Sequence, residues 1–356
     1  MIGLTLTFDY EIYADGTGSI YEHIIKPTED FLKICESFGA KATLFVDVAE
    51  LIKMKQRSLF INEVKEVEYQ LRNAHENGHD VQLHIHPWWF NAEFSNGKWS
   101  MDYNMSTLCH LHSDTISKYI QSSKQYLIDV LEPCVRKYSC IAFRAGAWSM
   151  MPTKNMHNAM VSEGIEIDSS VFKWGKAHTP YMTYDYSDAF SNIYPWFFSS
   201  HNINYKTENA KKTSSCIEIP IYSEYQRGFR FLTKKRFSLM SHIKSTVVNA
   251  KSANINRSLL SIINDKIRLL IKKRAKKLDF CKCKFSEMKK MIENIMEHNP
   301  PDGYLPIVAI GHSKDFIYRD DFSRFLLFLR SNYTDTLEVV PLTTAAKKYR
   351  DLNEIT

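Results

Sequence analysis

The sequence predicts an α/β protein, a distorted or incomplete parallel (β/α) barrel of seven or eight strands with a basic helical insert. Three observations predict it. Short β-rich apolar runs alternate with helical patterns over most of the 356 residues, as in βαβ units and parallel sheets. About seven or eight such units favour a barrel over an open sheet. Polar residues (Asp9, His84, Arg144, Asp168, His312) stand at the carboxyl ends of the runs, where barrels carry their sites.

The elements follow in order. IGLTLTF (2–8) alternates and reads as a buried strand. A helix is expected over 27–38, opened by Pro27-Thr28-Glu29-Asp30 and closed by Gly39. AKATLFVDV (40–48) is the second strand, and 60–77 is a helix that stops at Asn77-Gly78. DVQLHIH (80–86) is a strand halted by Pro87. A helix over 113–131 leads to the strand CIAFRAG (140–146), and one over 153–162 leads to IEIDSSV (165–171). SCIEIPIY (215–222), YLPIVAIGH (304–312) and LEVVPL (337–342) are later strands, with a helix over 320–332 before the last.

One domain is expected over 1–350, with an insertion at 227–290. That insertion holds 19 Lys/Arg and 3 Asp/Glu, a net of +16, on a body of net −10. Leu259, Leu260, Ile263, Ile267, Leu270 and Ile271 recur at helical spacing among its basic residues. Such a helix either packs on the body with a solvated basic face or lies on an anionic membrane through 230–285. Aromatic interleaving is sparse, so nucleic acid is not the expected partner. No stretch approaches the roughly 18 apolar residues of a membrane span. MIGLTLTFDYEIY lacks a basic start and a cleavage site, so the chain is expected in the cytoplasm, and the membrane reading of the insert would place it peripheral to the inner membrane. Seven scattered cysteines without a CxxC read as reduced thiols. The Cys281-Lys282-Cys283 triplet is weak evidence for metal.

Asp9 and Glu11 end the first strand two residues apart, so their side chains share a face. Two ionised carboxylates in one cavity call for a cation, an arrangement that suits a metal ligand beside a general base. Alone, such a pair is often only solvated. His84 and His86 repeat the spacing. Two imidazoles and one carboxylate leave an open position on zinc or a similar ion, as catalytic sites do. Arg144 can orient a carboxylate or make a surface ion pair. His312 can protonate a leaving group or be a structural histidine. Asp168 can hold that histidine or cap a turn. Trp148 can line a sugar or fill the core.

TFDYE (7–11), ATLFVD (42–47), GHDVQLHIHP (78–87), FRAGAW (143–148), IDSS (167–170) and AIGH (309–312) occur in the order seen in the polysaccharide deacetylase (NodB-homology) family, which this chain resembles over roughly 1–225 and 300–345. The resemblance implies a distorted (β/α) barrel that removes acetyl groups from amino sugars with zinc or another divalent ion. It implies Asp9 as general base, Arg144 as its orienting arginine, His312 as general acid and His84 as the first metal histidine. Two positions depart from the family's pattern. Asp9-Tyr10-Glu11 replaces an adjacent Asp-Asp, so Glu11 takes the metal carboxylate role. Trp88 stands where the second metal histidine is expected, so His86 takes that role. Trp88 and Trp148 are expected to bind substrate. The function implied is removal of an acetyl group from an N-acetylated sugar of a cell-surface polysaccharide or its lipid-linked precursor. The alternatives are a non-catalytic glycan binder on a degenerate scaffold, and a metal hydrolase acting on another ester or on phosphate.

Overall fold

The computed structural model describes residues 1–179, 182–207, 216–227, 273–299 and 303–353. It divides into two units, 1–223 with 277–356, and 224–276.

Nine strands form the sheet of the larger unit: β1 (Ile2–Tyr10), β2 (Ala42–Asp47), β3 (Asp80–Ile85), β4 (Ala142–Ala145), β5 (Ile167–Asp168), β6 (Trp196–Phe197), β7 (Ile217–Glu218), β8 (Leu305–His312) and β9 (Leu337–Val339). Their order is β6-β7-β5-β4-β3-β2-β1-β8, with β9 also on β1. All pairs are parallel except β6 with β7. The sheet curls. Among the described residues, only single-residue bridges follow beyond β8, Ile221 to Val308 and Asp279 to Ile310. This is the distorted barrel that the alternation of runs predicts.

β1 shows how the sequence builds it. Every residue from Ile2 to Tyr10 is buried, because the strand has helices on one side and the barrel interior on the other. Phe8 stacks on Phe31 of helix α1 (Lys26–Ser37), with centroids 4.3 Å apart. Phe280 and Phe322 extend the stack from Phe31. Tyr10 also points outward, donating from its hydroxyl to Gln70 at 2.8 Å. Thr7 and Asp9 point inward, where both meet Arg144. The outward face holds the fold together and the inward face is left for chemistry.

Among the described residues the α-helices are α1, α2 (Val48–Lys55), α3 (Ile61–Glu76), α4 (Ser113–Leu131), α5 (Thr153–Ser162), α6 (Phe285–His298), α7 (Arg319–Asn332) and α8 (Leu342–Asn353). α1 ends where Gly39 adopts φ +70, and the Ala40 amide then reaches back to the Cys35 carbonyl at 2.9 Å. That left-handed step is favourable only without a Cβ.

Several expected strands are shorter than their runs, with 215–222 a strand only at Ile217–Glu218 and 337–342 only at Leu337–Val339. The ladder of β5 stops at Asp168 because the Ser169 carbonyl accepts from Arg144 Nε at 2.8 Å. The Ser170 amide turns back to Asp168 Oδ2 at 3.2 Å. β4 starts late because the Ile141 and Ala142 amides are taken by the Gln82 side chain. The insert is extended at its first described stretch and helical only from Phe285, where α6 begins. Lys273–Lys277 is extended and pairs with Ser223–Arg227. The apolar stripe at 259–271 lies outside the described residues.

Candidate active site at the strand ends

Register sets the site. Asp9 lies opposite His312 of β8. Asp47 lies opposite His84, and His84 opposite Arg144. The carboxyl ends of five strands thus deliver polar side chains at one level. All of these side chains are buried, Arg144 at 0% and Asp9 at 2% exposure.

One half of the site centres on Arg144. Its Nη1 donates to Asp9 Oδ1 at 2.6 Å and Nη2 to Thr7 Oγ1 at 2.9 Å. Nη2 also reaches Ser169 Oγ at 3.2 Å. The Phe45 ring lies under the guanidinium, 4.3 Å away. A buried cation with this many partners has a fixed orientation, and it fixes Asp9 in turn. Asp9 Oδ2 lies 3.5 Å from His312 Nε2. Burial, reinforced by Lys282, holds the His312 imidazole well below its usual range, so it is neutral near pH 7.

The other half centres on Glu11. Its Oε2 lies 2.8 Å from His86 Nε2 and 3.3 Å from His84 Nε2. One ligand atom from each of the three residues lies within 4.8 Å of the others. His84 Nδ1 contacts the Arg144 carbonyl at 2.8 Å. As Nδ1–H it donates there and leaves Nε2 for an ion, the outer contact that metal histidines need. Among the described residues, His84 Nε2, His86 Nδ1, Asp47 Oδ2 and Glu50 Oε1 are buried without a hydrogen-bond partner. Two imidazoles, a carboxylate and unsatisfied polar atoms beside them suit a divalent ion of the zinc type.

The charges of this half are strongly biased. Burial raises the Glu11 carboxyl, but Lys314 and His86 outweigh it and hold it well below the carboxylate range. Lys314 Nζ is 2.7 Å from Glu11 Oε1. Burial opposes protonation of His84, but Glu11, Asp9 and Asp47 push it to about 9. Burial raises Asp47, and burial with the Asp47 charge raises Glu50 further.

The expected residues therefore divide. Asp9, Arg144 and His312 meet, as do Glu11, His84 and His86. Asp168 does not hold His312, whose carboxylate neighbour is Asp9. Asp168 instead caps its own turn, bonding the Ser170 amide and hydroxyl. Burial raises its carboxyl, with Glu218 beside it. Trp88 has its ring against His86 at 4.3 Å and is 3% exposed. It backs that imidazole and has little face left for a sugar. Trp148 is half-buried, edge-on to His312 at 5.8 Å. Its φ of 55 and that of Ala147 (53) are left-handed, uncommon for residues with a Cβ. The Trp148 carbonyl accepts from Tyr186 at 2.5 Å, which pins this turn. Gly146 precedes it because a Cβ there would lie 2.8 Å from His86 Nδ1 and 2.4 Å from the Ile85 carbonyl.

The sequence reading missed Asp47, Glu50, Lys314 and Thr7. Asp47 ends an apolar strand just as Asp9 does, so the same rule finds it. Thr7 lies two residues before Asp9 and so shares its inward face. Lys314 and Glu50 become visible only when distant segments pack.

Fold and site together define a curled parallel barrel with a two-histidine, one-carboxylate cluster and an arginine-held aspartate at its strand ends. No family model matches the sequence, and no curated protein sequence does. Solved structures match the fold. A polysaccharide deacetylase from Mycobacterium smegmatis aligns over 98% of this chain and 91% of its own, at a TM-score of 0.52 and 12% identity. Another, from Pseudomonas aeruginosa PAO1, aligns over 98% and 91%, at 0.51 and 11%. An allantoinase aligns over 98% and 90%, at 0.50 and 10%. The chain has the polysaccharide deacetylase-like fold. A fold hosts several chemistries, so the chemistry rests on the site.

Proposed function

We propose that this protein is a metal-dependent hydrolase that removes an acetyl group from an N-acetylated sugar. The carrying observation is the Glu11–His84–His86 cluster beside an Asp9 held at 2.6 Å by buried Arg144. Glu11, His84 and His86 would hold zinc or another divalent ion. Such an ion supplies Lewis acidity and lowers the pKa of water.

The chain's own groups handle the protons. Arg144 keeps Oδ1 of Asp9 occupied and leaves Oδ2 on the side of His312. Asp9 takes the proton that the attacking water loses. Neutral His312 must first gain a proton, and Asp9 Oδ2 at 3.5 Å is its carboxylate neighbour. His312 then delivers a proton to the departing nitrogen. The amide C–N bond breaks, giving acetate and the amine. Trp148 would offer its ring to the sugar.

Acetate release from a panel of acetylated sugars tests this, with zinc-loaded protein and an Asp9→Asn variant. Release that Asp9→Asn abolishes supports it. Zinc-loaded protein that releases no acetate from any sugar overturns it in favour of an ester or phosphate substrate. The likeness to polysaccharide deacetylase structures supports a polysaccharide or its precursor as the source of the sugar, and we assign that polysaccharide to the cell surface. The +16 segment at 227–290 supports a lipid-linked precursor met at an anionic inner-membrane surface by a cytoplasmic enzyme. Replacing Lys234, Lys235 and Arg236 with Gln should then weaken binding to vesicles containing phosphatidylglycerol, and unchanged binding would remove that part.

One observation favours a glycan-binding protein without catalysis. Lys314 at 2.7 Å already neutralises Glu11, and a protonated His84 adds to it. Metal content separates the two readings.

A further inference from the structure

The cations around the site are paired, with one exception among the described residues. Arg144 pairs with Asp9, Lys314 with Glu11, and Lys282 with Asp315 at 2.9 Å. Lys277 is different. Its Nζ lies 3.2 Å from the centroid of Trp148 and 4.5 Å from that of Phe172. Among the described residues no carboxylate reaches it within ion-pair distance and its ammonium makes no hydrogen bond. The aromatic faces hold the ammonium by cation–π attraction but do not neutralise it. Trp148 is the ring that stands edge-on to His312, so the unpaired charge lies beside the acid–base pair. Its backbone is anchored there. The Leu278 amide donates to the Tyr222 carbonyl, and Leu278 and Phe280 bond Ile310 of β8, two residues before His312.

A half-buried cation without a counter-charge is costly in the free protein. It becomes favourable if the counter-ion arrives with the substrate. Burial acts in the same direction, drawing Lys277 down to about 7, and an arriving anion would restore its charge. A neutral sugar would not need this group. An aromatic wall alone would serve it.

We propose that Lys277 anchors an anionic group of the substrate, a carboxylate or a phosphate on or next to the acetylated sugar, and so selects acidic sugars over neutral ones. The proposal rests on the hydrolase reading for its location but is tested without turnover. Zinc-loaded full-length protein is treated with trinitrobenzenesulfonate, and labelling of Lys277 is followed by mass spectrometry. The additions are N-acetylglucosamine, N-acetylglucosamine 1-phosphate and N-acetylmuramic acid, each at about 10 mM. The expected result is that labelling of Lys277 slows about fivefold or more with one or both anionic sugars, and much less with the neutral sugar. Which anionic sugar protects tells phosphate from carboxylate. Equal protection by the neutral sugar, or no protection by any of the three, overturns the proposal.

Where turnover is found, Lys277→Met should lower the preference for anionic over neutral substrate (the ratio of their kcat/KM values) about tenfold, and Lys277→Arg should restore part of it. An equal loss on both substrates would make Lys277 a general part of the machinery and overturn the proposal. Anion-dependent protection without acetate release leaves the anchor standing and removes the hydrolase. Acetate release without such protection does the reverse.

Discussion

The two halves of the site are built by opposite rules. Around the Arg144 guanidinium the polar atoms are matched, with Thr7, Asp9 and Ser169 each taking a donor, and one atom of that half, His312 Nδ1, lacks a partner among the described residues. Around Glu11 they are not, and four buried atoms lack partners among the described residues. A matched half holds its geometry without help. An unmatched buried half is costly unless something binds there. On the proposed reading, the difference would put an ion and the acid–base machinery on separate sides of one barrel mouth.

The largest effect should come from breaking the matched half. Arg144→Met leaves Asp9 buried without its counter-charge. Activity should fall by about a thousandfold or more, and urea unfolding should show a loss of about 3–5 kcal/mol. A variant within twofold of wild type in activity would remove Arg144 from the mechanism.

The unmatched half should answer to pH. His84 sits at about 9, so without metal it carries a proton at pH 7. An ion needs the Nε2 lone pair, and binding must release that proton. Metal affinity should therefore rise about tenfold per pH unit from 7 towards 9 and level off above. Calorimetry in two buffers of different ionisation enthalpy should count about one proton released at pH 7. A flat pH dependence would contradict this assignment.

Gly146→Ala puts a Cβ where the Ile85 carbonyl and His86 stand. Metal affinity should drop about 10–100-fold, the usual scale for a disturbed ligand, as read by competition with a chromophoric chelator. An unchanged affinity would take His86 out of the ligand set. The smallest effect is expected at Lys314. Lys314→Met removes the cation from Glu11, so affinity should rise severalfold and zinc should raise Tm more than in the parent. Weaker binding would show that Lys314 positions Glu11 rather than competing for it.

Much of this was legible in the sequence, for a physical reason. Strand periodicity forces Asp9 with Glu11, and His84 with His86, to one face, and parallel packing puts strand ends at one level. Helix bounds such as 113–131 and 153–162 were legible because their apolar spacing and stops are local. What depends on packing was not legible. The role of Asp168 turned on which carboxylate reached His312, and no spacing shows that. Trp88 looked like a platform, but its ring is buried on His86. Lys277 is one of 19 Lys/Arg in the 227–290 segment, and its place over Trp148 sets it apart. A further turn is carried by a local signal. Asn96-Gly97, both at positive φ, turns the hairpin of Glu93–Ser95 and Lys98–Ser100, as that dipeptide commonly does.

The central claim is that the Glu11 half awaits a divalent ion. Metal content of the zinc-loaded, dialysed chain tests it most directly, alongside His84→Ala with an unchanged circular dichroism spectrum. The account predicts about one equivalent of ion per chain in the parent and close to none in the variant. A parent chain that retains no ion under any loading condition would contradict it.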